Sequence, residues 1–105
     1  MHTTVRRYEG IDQSRKSELA KKVGENLLPR LSKMPGFNGY YLIDAEKDVM
    51  SSISFFDTSA QADESTRFVA SWLREEKLEN VLPNSPKITV GEVIVHKMNG
   101  GAVKA

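Results

Sequence analysis

The chain has 105 residues, enough for one hydrophobic core and too few for two independent ones. Its 39% hydrophobic and 28% charged residues match an ordinary globular composition, which argues against disorder and against a fibrous architecture. A formal net charge of +1, with acidic and basic residues interleaved, leaves no broad field for nucleic acid or an anionic membrane, and the lack of cysteine excludes disulfides, thiolate metal sites and thiol nucleophiles.

In chain order, residues 3–9 mix Thr, Val and Tyr with Arg and read as a strand that Gly10 ends. Asp12 or Ser14 then caps a helix whose apolar positions Leu19, Val23, Leu27, Leu28, Leu31 and Met34 recur at steps of three and four. Pro29 removes one backbone donor inside that pattern and is expected to bend or close its last full turn, before Pro35 and Gly36 end the segment. Residues 37–44 and 49–56 read as two strands of a hairpin joined by the polar turn 45–48. Thr58 and Gln61 have capping-box spacing, and the helix they open carries the stripe Ala62, Val69, Trp72 and Leu73, with Phe68 beside it. Leu78, Val81 and Leu82 suggest a further short turn, residues 83–86 a loop, and residues 88–96 a last strand. No window approaches the ~18 apolar residues of a membrane span, and the first residues lack a signal-peptide run, so a cytoplasmic protein is expected. Residues 1–97 are expected to form one domain and residues 98–105 a frayed tail.

The order strand, helix, strand, strand, helix, strand is the split βαβ arrangement: an α+β, ferredoxin-like βαββαβ fold with a four-stranded antiparallel sheet. Right-handed crossovers put both helices on one face of that sheet and leave the other uncovered. Alternation assigns Phe37, Tyr41 and Ile43 to one side of the third element and Tyr40 and Leu42 to the other; the next strand has Val49, Ile53 and Phe55 opposed by Met50 and Phe56. Both sides are thus partly apolar, which favours a homodimer that covers the second face; the plainer alternative is a wet face with scattered apolar residues.

The segments Met34-Pro-Gly-Phe-Asn-Gly-Tyr-Tyr-Leu-Ile-Asp44, Ser54-Phe-Phe-Asp-Thr58 and Trp72-Leu-Arg-Glu75 resemble the antibiotic biosynthesis monooxygenase-like proteins of the dimeric α/β barrel superfamily. The resemblance implies that two sheets face each other across a dimer, that helices lie outside, and that a small-molecule pocket lies between each sheet and its helices. Trp72 is similar to the tryptophan that the heme-degrading branch uses in its pocket. That branch also places an asparagine on the first strand and a heme-ligating histidine about ten residues after the tryptophan; this chain has Arg6, Arg7 and Leu82 there, which argues against heme. The cofactor-independent oxygenases of the family instead let an electron-rich aromatic substrate react with O₂ in a dry cavity, and this reading requires no cofactor.

The candidate catalytic residues are Trp72, Tyr40, Tyr41, Arg7 and His96, and the candidate substrate-binding residues are Trp72, Phe68, Phe56 and Ser54. Trp72 offers a stacking plane and one N–H donor, although tryptophan on an apolar helix face is commonly core. Tyr40 and Tyr41 offer phenolic protons from opposite faces of one strand. Ser52 and Ser54 share a face and offer hydroxyls, but no histidine stands in sequence to activate either. Alternation sends Arg6 and Arg7 to opposite faces, and whichever points inward can hold a carboxylate or phenolate; an interfacial ion pair is the alternative. The proposed topology brings the end of the last strand near the start of the first, making His2 and His96 possible neighbours; two histidines do not complete a zinc site, so no metal is expected. No glycine-rich phosphate loop and no basic-aromatic RNA-binding run occurs. The expected ligand is a small apolar or aromatic molecule, and the competing reading is a non-catalytic dimeric module in which the same aromatics only pack.

Overall fold

The structure, a computed structural model, describes residues 1–97, so the expected tail at residues 98–105 lies outside the described residues. Four strands, β1 (His2–Glu9), β2 (Phe37–Asp44), β3 (Val49–Phe56) and β4 (Lys87–Glu92), form one antiparallel sheet in the order β2-β3-β1-β4. The helical layer comprises a 3-10 turn (Gln13–Arg15), α1 (Lys16–Lys22), a π-helical stretch (Val23–Leu27), α2 (Leu28–Leu31) and the long α3 (Ser59–Glu75). This is the expected ferredoxin-like arrangement.

The first helical run starts where Asp12 accepts hydrogen bonds from the Ser14 backbone N–H (3.0 Å) and hydroxyl (2.7 Å). Its buried positions Leu19, Val23, Leu27 and Leu31 recur every four residues. An α-helix turning 3.6 residues per turn would rotate that row by about 40° at each step. The π turn absorbs this drift, with the Leu28 N–H bonded to the Val23 carbonyl five residues back. It also relieves Pro29, which has no N–H and would crowd the carbonyl four residues earlier in regular α geometry. The proline, expected from sequence to bend or close the last full turn, is accommodated by the π turn ahead of it, and the helix runs on to Leu31.

At α3, both halves of the capping box form: the Gln61 backbone N–H donates to Thr58 Oγ1 (3.2 Å), and the Thr58 N–H donates to Gln61 Oε1 (3.1 Å). The helix ends in a Schellman motif, with Leu78 N–H on the Leu73 carbonyl, Lys77 N–H on the Arg74 carbonyl, and Lys77 itself left-handed at φ 59°. The motif turns the chain back so that Leu78 and Val81 become fully buried.

Alternation in the central strands separates two surfaces. Thr4, Arg6, Tyr8, Met50, Ser52, Ser54 and Phe56 are buried beneath the helices, whereas Arg7 and Tyr41 are exposed on the opposite face. One sequence assignment changes. A bulge between Phe37 and Gly39 reverses the parity at the start of β2, so Phe37 does not share the face of Tyr41 but packs edge-on against Phe56 in the core, with centroids 5.7 Å apart. The last strand also stops at Glu92 rather than residue 96, because β1 has only Met1 left to offer: Val93 N–H bonds the Met1 carbonyl (2.9 Å), and the next residues have no strand beside them.

Gly36 joins the end of the first helical run to the sheet. It has φ +78°, its carbonyl accepts from Asp57 N–H (2.9 Å), and an added Cβ would overlap the Gln61 side chain that completes the α3 cap. Gly36→Ala is therefore expected to lower unfolding stability by about 1–3 kcal/mol, combining backbone strain with a disturbed cap. Urea denaturation with an unchanged midpoint would contradict this.

Candidate functional site

Arg6 is the polar centre of the helix-covered face. β1 register places it opposite Ser52 on one side and Ile88 on the other. Its residue exposure is only 2%, yet its guanidinium meets neutral partners alone: Nη2 donates to Thr66 Oγ1 (2.6 Å) and Nη1 to Ser54 Oγ (3.4 Å). Thr66 passes its own proton to the Ala62 carbonyl at 3.2 Å, which fixes the hydroxyl as an acceptor for Arg6. None of the ion pairs among the described residues includes Arg6. Burial lowers its pKa from the ordinary arginine value, with the phenol oxygens of Tyr8 and Tyr40 pulling the other way.

A cleft of about 310 Å³ opens beside this group, between α3, β1 and the 79–86 loop. Arg6 and Tyr8 lie at its β1 wall, Thr66, Val69, Ala70, Leu73 and Arg74 line it from α3, and Glu79, Leu82, Pro83, Asn84, Ser85 and Pro86 complete it. The loop is tied down at two points: Asn84 Nδ2 donates to the Glu9 carbonyl (2.9 Å), and Asp12 N–H donates to the Val81 carbonyl (3.0 Å). Tyr8, Val69, Leu73 and Leu82 are shared with a second, inner void of about 20 Å³ that reaches Tyr40, Ser52 and Trp72. That void has room for about one water molecule.

Two tyrosines border these spaces with opposing influences on their acidity. Burial raises the Tyr8 phenol above its ordinary value while the Arg6 cation lowers it. For Tyr40, burial dominates and pushes the phenol up to about 12, against the Ser52 hydroxyl and Arg6, which favour the phenolate. Tyr40 therefore remains a protonated hydrogen-bond donor throughout the physiological range.

The sequence candidates divide sharply. Tyr40 lines the inner void, and Ser54 supports Arg6 from beneath. Trp72 is fully buried, and its indole N–H already donates to Asn26 Oδ1 at 2.8 Å. It borders a void too small for a planar ligand. Tyr41 points to the uncovered face and packs edge-on with Phe55, with centroids 6.4 Å apart. Arg7, the arginine singled out from sequence, is not the inward one: its parity places it with Ser51 on the uncovered face, where Nε bonds Glu9 at 2.8 Å. Phe68 lines neither the cleft nor the void, and Arg30 lies over its ring at 4.8 Å from the centroid. Phe56 is core, packed on Phe37. His96 lines a recess on the uncovered side with Met1, Asn38, Gly39, Tyr41 and Phe55, while the residue opposite His2 in β4 is Glu92. The expected histidine pairing thus does not follow from the strand register, because β4 ends four residues before His96. Among the described residues no group of three or more His, Cys, Asp or Glu is placed to hold a metal, and no helix is long and apolar enough to cross a membrane.

Sequence reasoning passed over Thr66 and Asn26, and it read residues 83–86 as a loop without giving them a part in the site. Thr66 stands within the apolar stripe of α3, four residues after Ala62 and three before Val69, and Asn26 sits inside the π turn, where regular helical periodicity misplaces it.

No family model matches the chain, and no curated protein does. Solved structures do match. A Nitrosomonas europaea protein of unknown function, NE2512, superposes with a TM-score of 0.75 at 17% identity, covering 95% of both chains. A second Nitrosomonas europaea protein, assigned as an antibiotic biosynthesis monooxygenase, gives 0.70 at 9% identity over 90% of this chain and 100% of its own. The Streptomyces coelicolor monooxygenase ActVA-Orf6, in complex with nanaomycin D, gives 0.68 at 14% identity over 92% of this chain and 90% of its own.

The raised Tyr40 pKa fixes the sign of one pH effect. Between its ordinary value near 10 and the folded value of about 12, the unfolded chain loses the Tyr40 proton before the folded chain does, so stability falls as pH rises through that window. The Tyr40 contribution approaches about 2–3 kcal/mol at the top of the window. Tyr40→Phe should flatten this part of the stability profile in denaturant titrations; an equally steep profile would contradict it. With these residues on a four-stranded sheet beneath two helical runs, the chain has the fold of the antibiotic biosynthesis monooxygenase-like proteins.

Proposed function

We propose that this protein binds a small planar aromatic metabolite in the cleft beside Arg6 and acts on it as a cofactor-independent monooxygenase. The observation that carries the reading is the 310 Å³ cleft beside a buried arginine, which shares the walls Tyr8, Val69, Leu73 and Leu82 with the inner void at Tyr40. A cleft of this size is at the small end of ligand pockets, which run from roughly 300 Å³ upward. The fold likeness to a monooxygenase crystallised with nanaomycin D supports the same class of ligand.

In this reaction an ionised, electron-rich ring supplies every electron to O₂; one oxygen atom ends on the substrate and the other leaves as water. The protein's part is to exclude water, orient the ring and supply a proton. Tyr40, held protonated by burial, is the donor beside the inner void, and Tyr8 borders both spaces.

The functional unit in this reading is a homodimer. Tyr41 (53% exposed) and Ile43 (41%) lie on the uncovered sheet face with Ile53 and Phe55, and beyond β4 Ile94 and Val95 are 90% and 84% exposed. Apolar area left in water costs ~25 cal/mol per Å², so a second copy meeting this face removes a cost that the chain's own helices cannot. A non-catalytic dimeric module is the second reading, favoured by one observation: Trp72 is fully buried with its N–H already bonded to Asn26.

Oxygen uptake with aromatic quinols separates the two. The wild type should consume O₂ above the buffer rate, and Tyr40→Phe, which keeps the ring and removes the hydroxyl, should lower uptake by about tenfold or more. Uptake equal to buffer would leave only the binding module. Light scattering should give twice the chain mass, and a monomer at high concentration would overturn the dimer.

A further inference from the structure

Arg6 presents an electrostatic problem that the protein alone does not solve. A guanidinium cannot shed its proton near neutral pH, and charged side chains taken from water are ordinarily paired with an opposite charge. Here its recorded partners are two hydroxyls, which engage two of its five N–H donors. Arg6 Nε has no hydrogen-bond partner, yet among the described residues Thr4 Oγ1 is the only fully buried side-chain polar atom without one, so Nε keeps a narrow opening to solvent beside the cleft that Arg6 lines.

The nearby acidic groups do not serve as its counter-ion. Glu9 is engaged by Arg7 at 2.8 Å and Lys87 at 3.4 Å. Glu79 lines the cleft but forms no ion pair with Arg6, and Arg74, which lines it from α3, offsets its charge. The floor is therefore cationic, while Val69, Leu73, Leu82 and Pro83 offer an apolar surface on which a ring can lie.

We propose that the cleft is a site for aromatic oxyanions, whose charged oxygens sit on the Arg6 guanidinium while the ring packs against α3 and the 79–86 loop. The inference rests on the ligand-binding reading of the cleft and narrows it from planar aromatic molecules at large to those that carry a carboxylate or phenolate, with Arg6 as the group that selects them. Thr66 and Ser54 act as positioning residues: they hold the two Nη atoms from the protein side, leaving the rest of the planar fork for the ligand.

Calorimetric titration with naphthoate and with naphthamide, its uncharged counterpart of the same shape, tests the proposal. The wild type should bind naphthoate at least tenfold more tightly, and Arg6→Met should remove that preference while leaving a folded protein by circular dichroism. The wild-type comparison needs no variant, so it stands even if Arg6→Met does not fold. A second variant, Thr66→Val, removes one positioning contact and should weaken naphthoate severalfold more than naphthamide. A hydroxylated naphthalene in place of naphthoate should bind more tightly as pH rises through its own pKa, which extends the site to phenolates. Equal affinity for acid and amide would overturn the anion assignment and leave an apolar binding cleft intact. A preference for naphthoate that survives Arg6→Met but disappears in Arg74→Gln would overturn the assignment to Arg6. No binding of either compound, nor of an aromatic quinol, would overturn both this inference and the ligand-binding reading.

Discussion

A permanently charged guanidinium sits on the face of the sheet where apolar side chains belong, and much of the site's geometry follows from that placement. Arg6 is flanked along β1 by Thr4 and Tyr8 on the same face, with Ser52 and Ser54 on β3 and Thr66 on α3 supplying oxygen around it. Those hydroxyls reduce the cost of burial without cancelling the charge, since a neutral dipole cannot replace a carboxylate. The 79–86 loop does not close over the group completely, and the space left beside it is the cleft of about 310 Å³. A core built only for stability would gain by an apolar residue at this position, which is why the arginine points to a ligand.

The rest of the fold serves to hold that wall in place. The π turn keeps the row Leu19, Val23, Leu27 and Leu31 aligned on the sheet and brings Asn26 to the indole of Trp72. Trp72 is thereby fixed as a buried strut between the two helical runs. The Schellman turn at Lys77 sends Leu78 and Val81 into the core, and the loop that follows is secured by Asn84 to the end of β1 and by Val81 to Asp12. Cleft floor, wall and rim thus share anchors with the hydrophobic core.

Much of this was legible in the sequence. Strands β2 and β3 coincide with the ranges read from alternation, and the Thr58–Gln61 spacing gave the start of α3 because a capping box leaves a fixed local signature. Tertiary features were harder to read. The bulge before Gly39 reversed the face of Phe37, and no local pattern announces a one-residue slip. β4 ended early because a strand continues only while it has a neighbour, a property of the partner rather than of residues 93–96. The π turn did leave a trace, in a strict four-residue repeat joined to Pro29. For the site, alternation established that Arg6 and Arg7 part company but could not say which turns inward; that depends on which face receives the helices. Trp72 attracts notice for its chemistry and is fully buried with its N–H on Asn26, whereas Thr66, unremarkable in sequence, is the shortest contact of Arg6.

The central claim is that Arg6 is a buried cation whose missing counter-charge arrives with a ligand. A crystal structure of the protein soaked with a brominated naphthoate tests it most directly, because the anomalous signal of bromine locates the ring independently of the protein density. The account predicts the carboxylate within hydrogen-bonding distance of the Arg6 guanidinium, with the ring against Leu73 and Leu82. Glu79 seated on Arg6, with the cleft closed and the bromine elsewhere, would contradict it.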